Sequence, residues 1–362
     1  MLRTARFLRS YLRPSEVRWR EEEVEIPVGG QPRHATLYRP KSNRPAPGWV
    51  VLHGLTVPGR HHVGMVRFVR ALAASGASVL VPDVPAWRAL RIDPPAARET
   101  IGDGARYLAA LPGTRPGGVG VIGFSFGATQ ALIAAADPAL HGVVRAAVGF
   151  GGYADLPRMV RALMTGEHDW NGARERIDPD PYGRWIVAAN YLTRVPGFEH
   201  MQAVADGALE LATEAGIRGT PSWEAAYDPL KAAIRKRLPA DQRGAWDVIA
   251  GPVGRPPPDP ELAERFAREF TTVAMQLDPG LDPTPYLPHM RARVVLSHGL
   301  EDRLIPYTES LRLYALLAPV TDVSLTLTRL FAHSGPQTGG PLHYAREGWR
   351  FARLLHRALN AV

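Results

Sequence analysis

Residues 117–127 read Gly-Gly-Val-Gly-Val-Ile-Gly-Phe-Ser-Phe-Gly, and the rest of the chain is organised around them. The apolar run from Val119 to Ile122 is typical of a buried strand, and the alanine-rich run 128–136 is typical of a helix. Between them stands Gly-x-Ser-x-Gly, in which the glycines on both sides of Ser125 leave room for a very sharp turn. The pattern predicts that Ser125 is held in a strained conformation at the top of a sheet, beside the N-terminus of the following helix.

Short strands alternate with helices on both sides of this stretch. The predicted strands cover residues 17–28, 34–38, 49–52, 77–81, 145–150, 293–299 and 323–330. The predicted helices of the same regions cover residues 65–75, 96–111, 307–317 and 341–359. Apolar strands alternating with helices are typical of a parallel sheet that is covered on both faces. We therefore expect an α/β fold with a mostly parallel, doubly wound sheet, and catalytic groups at the carboxyl ends of its strands.

Between the predicted strands 145–150 and 293–299 the sequence pattern changes. Segments such as 201–212 and 261–277 have helical periodicity, proline-rich joints separate them, and no clear strand is visible. We predict a core formed by residues 1–156 and 288–362, and a helical cap formed by the inserted residues 157–287. An insertion of this length is within the size range of a small domain.

Composition restricts the classes of function. The chain has 362 residues, a formal net charge of +8, 45% hydrophobic residues and no cysteine, so disulfides and thiolate metal sites are excluded. The arginines are scattered rather than clustered, so the charge does not indicate a nucleic-acid partner. No signal peptide and no apolar run long enough to span a bilayer are recognised, so a cytoplasmic location is expected.

The N-terminal residues 2–13 form a basic amphipathic pattern. Arginines recur at helical spacing, with leucines between them. Such a helix is compatible with contact to a membrane surface, whereas the simpler interpretation is a short helix that packs on the core. We favour the second interpretation.

A serine hydroxyl becomes a good nucleophile only beside a base, and a histidine base needs an acid to fix its tautomer. Asp302 lies in the loop after a buried strand, and His333 lies in the loop after the last strand. Glu301 is the nearest rival of Asp302 as the acid. His343 is an alternative base, although Pro341 beside it indicates the start of a helix.

The chain order Ser, Asp, His is the order of α/β-hydrolases. Over about residues 20–155 and 288–360, the chain resembles the α/β-hydrolase superfamily, of the serine ester-hydrolase type with a helical cap. The motifs that carry the resemblance are the following: His53-Gly54 after a strand, Gly-x-Ser-x-Gly around Ser125, the segment 298–306, and His333.

The resemblance implies a role for each of these residues. Ser125 would be the nucleophile, Asp302 the orienting acid and His333 the general base. The oxyanion hole would use the backbone N–H groups of Phe126 and Leu55. The lipase-type run of three glycines after the histidine is absent, and Leu-Thr-Val-Pro stands at 55–58 instead.

The expected function is hydrolysis of a small-molecule carboxylic ester through an acyl-enzyme, with no cofactor and no metal. The adjacent pair His61-His62 has no third ligand at convincing spacing. Aromatic side chains of the cap are expected to close an apolar pocket over Ser125; they are Trp170, Trp185, Tyr191 and Trp223. A peptidase, an amidase or an acyltransferase with the same triad, and a non-catalytic ligand-binding member of the fold, stay open as alternatives.

Overall fold

The computed structural model describes residues 1–13, 19–42, 44–330 and 341–362, with only the backbone described for 341–345. The strands are β1 (Trp19–Val28), β2 (Gln31–Pro40), β3 (Gly48–Leu52), β4 (Ser78–Pro82), β5 (Val119–Phe124), β6 (Val144–Phe150), β7 (Glu167–Trp170), β8 (Ala173–Arg176), β9 (Arg293–Gly299) and β10 (Val323–Thr328). The helices are α1 (Leu2–Leu12), α2 (Val63–Ala74), α3 (Pro85–Arg88), α4 (Pro94–Ala110), α5 (Phe126–Ala136), α6 (Leu156–Thr165), α7 (Pro181–Tyr191), α8 (Gln202–Arg218), α9 (Asp228–Arg237), α10 (Arg243–Ala250), α11 (Pro260–Leu277), α12 (Tyr307–Leu317) and α13 (Pro341–Leu359).

Within the described residues, eight strands form one sheet in the order β1-β2-β4-β3-β5-β6-β9-β10. The pairs from β4 to β10 are parallel, whereas β1 pairs with β2 and β2 with β4 in antiparallel fashion. The β1–β2 hairpin turns at Gly29 and Gly30, whose φ angles of 56° and 76° suit a two-residue hairpin turn. The mostly parallel sheet predicted from the sequence is confirmed.

Helices cover both faces of the sheet. Neighbouring residues of an inner strand point to opposite faces, so each face receives half of the apolar side chains of that strand. Val50 and Val121 pack with residues of α4, α5 and α12 on one face. Val51 and Ile122 pack with residues of α1, α2 and α13 on the other face. Strands buried on both faces show no polar alternation, which is why the sequence displays them as continuous apolar runs.

The chain between β6 and β9, residues 156–289, forms a large insertion built on α6 to α11. The expectation that this region holds no strand is wrong at residues 167–176, where β7 and β8 pair in antiparallel fashion. Their turn contains Asn171 and Gly172, with φ angles of 48° and 82°. Asn-Gly is the preferred pair for such a hairpin turn, so a local signal for this hairpin was present in the sequence.

Helix α1 packs on the core through its apolar side. Phe7 is fully buried and makes an edge contact with Phe68 of α2, at 5.3 Å between ring centroids. The guanidinium of Arg67 also donates a hydrogen bond to the carbonyl of Tyr11, at 2.7 Å. None of the helices in the described part of the chain combines the length and the hydrophobicity that crossing a membrane requires.

Candidate active site

Ser125 occupies the turn between β5 and α5. Its φ of 56° and ψ of −128° lie in a region that residues other than glycine rarely adopt. Its backbone N–H donates to the carbonyl of Phe150 at the end of β6, at 2.8 Å, which holds the turn against the neighbouring strand. A conformation of this kind costs of the order of 1–3 kcal/mol and persists only where the surroundings impose it. The strained turn predicted from the sequence is confirmed.

Two glycines allow this turn because their missing side chains make room for backbone. A Cβ atom on Gly123 would lie 2.1 Å from the carbonyl oxygen of Gly127. A Cβ atom on Gly127 would lie 2.4 Å from the carbonyl oxygen of His53. Both distances are far below van der Waals contact, so side chains are excluded at both positions. Residue 127 therefore abuts the end of β3, which brings the loop after that strand beside the serine.

The loop 53–58 lies directly against Ser125. A Cβ atom built on Gly54 would be 3.4 Å from the Cβ of Ser125 and 3.8 Å from its hydroxyl oxygen. Phe126 is the first residue of α5, so its N–H is one of those that a helix leaves without an intrahelical partner. The structure thus brings together Ser125, Phe126 and the loop that contains Leu55.

His53 holds the peptide group whose N–H belongs to Leu55. Its ring Nδ1 is 2.7 Å from the carbonyl oxygen of Gly54, and the N–H of Leu55 is the other end of that same peptide. Burial lowers the pKa of His53 to about 4, so the ring is neutral near pH 7. A neutral ring that donates from Nδ1 has no proton on Nε2, and that buried Nε2 has no hydrogen-bond partner among the described residues. These contacts give His53 a structural role.

Asp302 is buried in the loop that follows β9. Its Oδ1 accepts hydrogen bonds from the backbone N–H groups of Leu304 and Ile305, at 2.9 and 3.0 Å. Its rival Glu301 is turned to the surface, where it forms an ion pair with Arg329 at 3.0 Å. Of the two neighbouring carboxylates, only Asp302 is enclosed at the carboxyl edge of the sheet.

His298 lies beside Asp302, and no role was predicted for it. It is fully buried, its Nδ1 lies 2.6 Å from the hydroxyl of Ser310, and its Nε2 lies 2.8 Å from the carbonyl of Ile305. Nε2 is also 3.5 Å from Oδ2 of Asp302. Because a carbonyl can only accept, Nε2 is the donor and Nδ1 accepts from the serine. His298 therefore uses both ring nitrogens to shape the turn that carries Asp302.

The strand order sets the distance between these groups. β5 and β9 are separated by β6 alone, and all three are parallel, so their carboxyl ends share one edge. Two strand spacings amount to roughly 10 Å. A third group from a neighbouring loop is needed to connect Ser125 with Asp302.

The predicted base, His333, follows β10 in the sequence, and β10 is the strand next to β9. His333 itself lies outside the described residues, as does the side chain of its alternative His343. The end of β10 and the residue that follows it are well anchored. The carboxylate of Glu347 accepts hydrogen bonds from the Thr328 hydroxyl at 2.8 Å and from the Arg329 N–H at 2.9 Å.

The insertion contacts the site directly. Leu55, Phe126 and Leu304 are partly buried against the apolar core of the insertion. The four aromatic side chains that were expected to line a pocket over Ser125 make the following contacts. Trp185 and Tyr191 are buried within the insertion; Arg303 lies over the ring of Trp223, and Arg312 over that of Trp170.

Two other aspartates that follow strands, Asp83 and Asp155, make structural contacts. Asp83 forms an ion pair with Arg88 at 3.2 Å. Asp155 caps α6 by accepting a hydrogen bond from the N–H of Arg158 at 2.8 Å. Within the described ranges no three histidine, aspartate or glutamate side chains are grouped so that they could bind a metal ion.

Helix α12 anchors the point where the chain leaves β6 for the insertion. Glu309 is buried, and its Oε2 accepts hydrogen bonds from the N–H groups of Ala154 and Asp155, at 2.9 and 3.1 Å. Burial raises the pKa of Glu309 to about 7, and the Arg312 guanidinium 4.0 Å away opposes this rise only in part. The protonated form of this carboxyl is therefore favoured by folding.

We expect Glu309→Gln to change how stability depends on pH. A raised carboxyl pKa stabilises the folded protein fully below the unfolded value of 4.5, and this contribution is lost as the pH rises through about 7. Glutamine keeps an acceptor for both backbone N–H groups but does not titrate. The free energy of unfolding of the variant relative to wild type should therefore rise between pH 5 and pH 8, by up to about 3 kcal/mol. Urea unfolding at the two pH values measures this; the exposed Glu22→Gln serves as control, and equal pH dependence in all three proteins would contradict the prediction.

Two open cavities lie away from Ser125. One, of about 810 Å³, runs along the exposed side of β10 between α12 and α13. The other, of about 580 Å³, lies at the β7–β8 hairpin. Neither is lined by Ser125, Phe126 or Leu55, so neither is a candidate for the ester pocket.

The comparisons with known proteins agree with the fold. No family model and no curated protein sequence matches the chain. Solved structures do match. Acylaminoacyl peptidase from Pyrococcus horikoshii has a TM-score of 0.52 at 13% identity, over 96% of this chain and 43% of the peptidase chain. An esterase from Pyrobaculum calidifontis has a TM-score of 0.50 at 17% identity, over 99% of this chain and 90% of the esterase chain.

These similarities and the strand order establish that the chain has the α/β-hydrolase fold. The chain spans less than half the length of the peptidase that it matches. At identities this low the similarity extends to the fold, and the chemistry has to be argued from the site itself.

Proposed function

We propose that the protein is a serine hydrolase that cleaves carboxylic esters, with Ser125 as nucleophile, His333 as general base and Asp302 as orienting acid. The observation that carries the proposal is the strained conformation of Ser125, at φ 56°, between two glycines that cannot accept a side chain. Strain of this kind is retained where a reactive group has to be presented. A serine in an ordinary loop would have no need of it.

The proposed reaction gives each of these groups a role. The Ser125 hydroxyl attacks the ester carbonyl, and its proton passes to His333. The negative oxygen of the tetrahedral intermediate is bound by the N–H groups of Phe126 and Leu55, the first of which is also at the positive end of α5. His333 returns the proton to the departing alcohol. Water, activated by the same histidine, then hydrolyses the acyl-enzyme.

Asp302 supports this cycle through its charge and its fixed position. A buried carboxylate beside the histidine selects the tautomer that can accept the serine proton, and it stabilises the imidazolium that forms. The two backbone N–H groups that bind Oδ1 fix the rotation of the side chain. The enclosed setting of Asp302 favours it over Glu301, whose charge is already paired with Arg329.

The insertion is proposed to act as the cap that was expected from the sequence. Its apolar core contacts both residues of the proposed oxyanion hole, Leu55 and Phe126. An apolar cover over Ser125 would exclude water from the acyl-enzyme except along a defined path. It would also select the acyl or alcohol group of the ester by shape.

Labelling with a fluorophosphonate tests the nucleophile and the class of chemistry together. We expect one covalent adduct, which peptide mass spectrometry assigns to Ser125, because only an activated serine reacts rapidly with such a probe. A panel of aryl and alkyl esters, matched amides, and esters with added alcohol acceptor then separates an esterase from an amidase or an acyltransferase. An adduct on a different residue, or no adduct and no turnover of any ester, would exclude the proposal.

A further inference from the structure

A short segment of the insertion contacts both core loops that flank the proposed reaction centre. This segment, residues 178–183, is called the brace segment here and leads into α7. Pro179 and Pro181 restrict its backbone φ angles. The side chain of Asp180 caps α7 by accepting from the N–H of Tyr182 at 3.0 Å. The brace segment is therefore stiffer than an ordinary loop.

The first contact of the brace segment is with residues 53–58, called the oxyanion loop here because they contain Leu55. The hydroxyl of Tyr182 donates a hydrogen bond to the carbonyl of Leu55, at 3.0 Å, across 127 residues of chain. Burial raises the pKa of the Tyr182 hydroxyl well above its ordinary value. The phenol thus keeps its proton, and remains a donor, throughout the pH range in which enzymes work.

The second contact of the brace segment is with the loop of Asp302. Arg303, the next residue, donates from Nε to the carbonyl of Asp178 at 2.8 Å and forms an ion pair with the Asp178 carboxylate. The carbonyl of Arg303 in turn accepts from the N–H of Asp180 at 2.8 Å. Leu304 packs close to Gly183, where an added Cβ would lie 3.1 Å from it.

The oxyanion loop depends on such support because residues 53–58 form no helix and no strand. His53 holds the carbonyl of Gly54 from the core side, at 2.7 Å. Tyr182 holds the next carbonyl, that of Leu55, from the insertion side. With both carbonyls bound, the two peptide planes that meet at Leu55 cannot turn independently. His53 thus holds the peptide that carries the Leu55 N–H, and Tyr182 holds the peptide that follows it, so Leu55 is fixed from the core on one side and from the insertion on the other.

We propose that the brace segment positions the oxyanion loop and the Asp302 loop together, and that Tyr182 is the positioning residue for the Leu55 N–H. This inference rests on the proposed hydrolase function and adds that the insertion completes the catalytic geometry. Movement of the insertion away from the core would release both loops at once. The reaction centre would then be assembled only while the brace segment is in place.

Tyr182→Phe tests the contact with the oxyanion loop, because it removes one hydroxyl and keeps the packed ring. For an ester that wild type hydrolyses, we expect kcat to fall about 10- to 100-fold, with KM changed less than about twofold, since a misdirected donor affects the transition state most. The matched control is Tyr227→Phe, which removes a hydroxyl bonded to the backbone carbonyl of Thr220 at 2.8 Å within the insertion. Unchanged kcat in Tyr182→Phe, or an equal loss in both variants, would overturn the inference while leaving the hydrolase function intact.

Arg303→Met tests the contact with the Asp302 loop. It keeps the side-chain stem and removes the hydrogen bond and ion pair to Asp178. We expect the acid limb of the kcat/KM profile to move to lower pH, because a displaced carboxylate stabilises the imidazolium less. Arg106→Met, which removes a surface pair with Asp103 at 3.0 Å, is the control. A pH profile identical to that of wild type would show that the contact between Arg303 and Asp178 does not position Asp302.

Hydrogen exchange supplies a readout that does not depend on turnover. In Tyr182→Phe, amides of residues 53–59 should exchange about fivefold faster or more than in wild type, and in Tyr227→Phe they should not. If wild type proved to hydrolyse no ester, this measurement would still decide whether Tyr182 holds the loop. Unchanged exchange would then overturn the inference independently of the proposed function.

Discussion

Ser125→Ala is expected to lower kcat for an aryl ester by about 10⁵- to 10⁶-fold, close to complete loss. The reason is that the acyl-enzyme is proposed to form on the Ser125 hydroxyl, which alanine lacks. Alanine has the same Cβ as serine, so it accepts the same strained φ of 56° at similar cost. The melting temperature should therefore stay within a few degrees of wild type.

Ser125→Gly sharpens this experiment. Glycine adopts positive φ without the clash that a Cβ causes, so this variant should unfold with a free energy about 1 kcal/mol higher than that of Ser125→Ala. Both variants should be equally inactive and should resist fluorophosphonate labelling. Substantial turnover by either would show that a different residue is the nucleophile. A glycine variant less stable than the alanine variant would contradict the strain at this position.

Asp302→Asn is expected to lower kcat by about 10³- to 10⁴-fold. Asparagine keeps an oxygen that accepts from the N–H groups of Leu304 and Ile305, so the loop should keep its shape. What is lost is the negative charge that stabilises the imidazolium and selects its tautomer. Initial rates from pH 5 to 9, together with thermal unfolding, separate this loss from misfolding.

Glu301→Gln is the matched control for Asp302. Its carboxylate pairs with Arg329 at the surface, so removal of the charge should change kcat by less than about twofold. A large loss of kcat in Glu301→Gln with a small loss in Asp302→Asn would show that Glu301, and not Asp302, is the orienting acid. Equal small losses in both would require an acid from elsewhere in the chain.

The strained turn at Ser125 was predictable from the sequence because its signal is local. Gly-x-Ser-x-Gly after an apolar run predicts the turn, because only glycine fits where a Cβ would lie 2.1 or 2.4 Å from a carbonyl oxygen. The hairpin at Asn171-Gly172 was missed although its turn has the same kind of local signal, because the surrounding region was interpreted as helical.

Contacts that join distant parts of the chain have no such signal. Nothing near Tyr182 in the sequence indicates that its hydroxyl binds Leu55, which is 127 positions away. Likewise, Glu309 resembles any helix-surface glutamate until its contact with Ala154 and Asp155 is seen. The burial that separates Asp302 from Glu301 depends on packing around the whole loop.

The sequence by itself therefore determined the type of most core elements, the strained serine and the parallel character of the sheet, since these follow from steric limits and burial within a few residues. The tertiary structure alone decided the strand order, the enclosure of Asp302, and the contacts of residues 178–183 with two separate core loops. The physical reason is that hydrogen bonds and packing between distant segments depend on where the whole chain brings them. The local conformational preferences of the residues involved do not determine that arrangement.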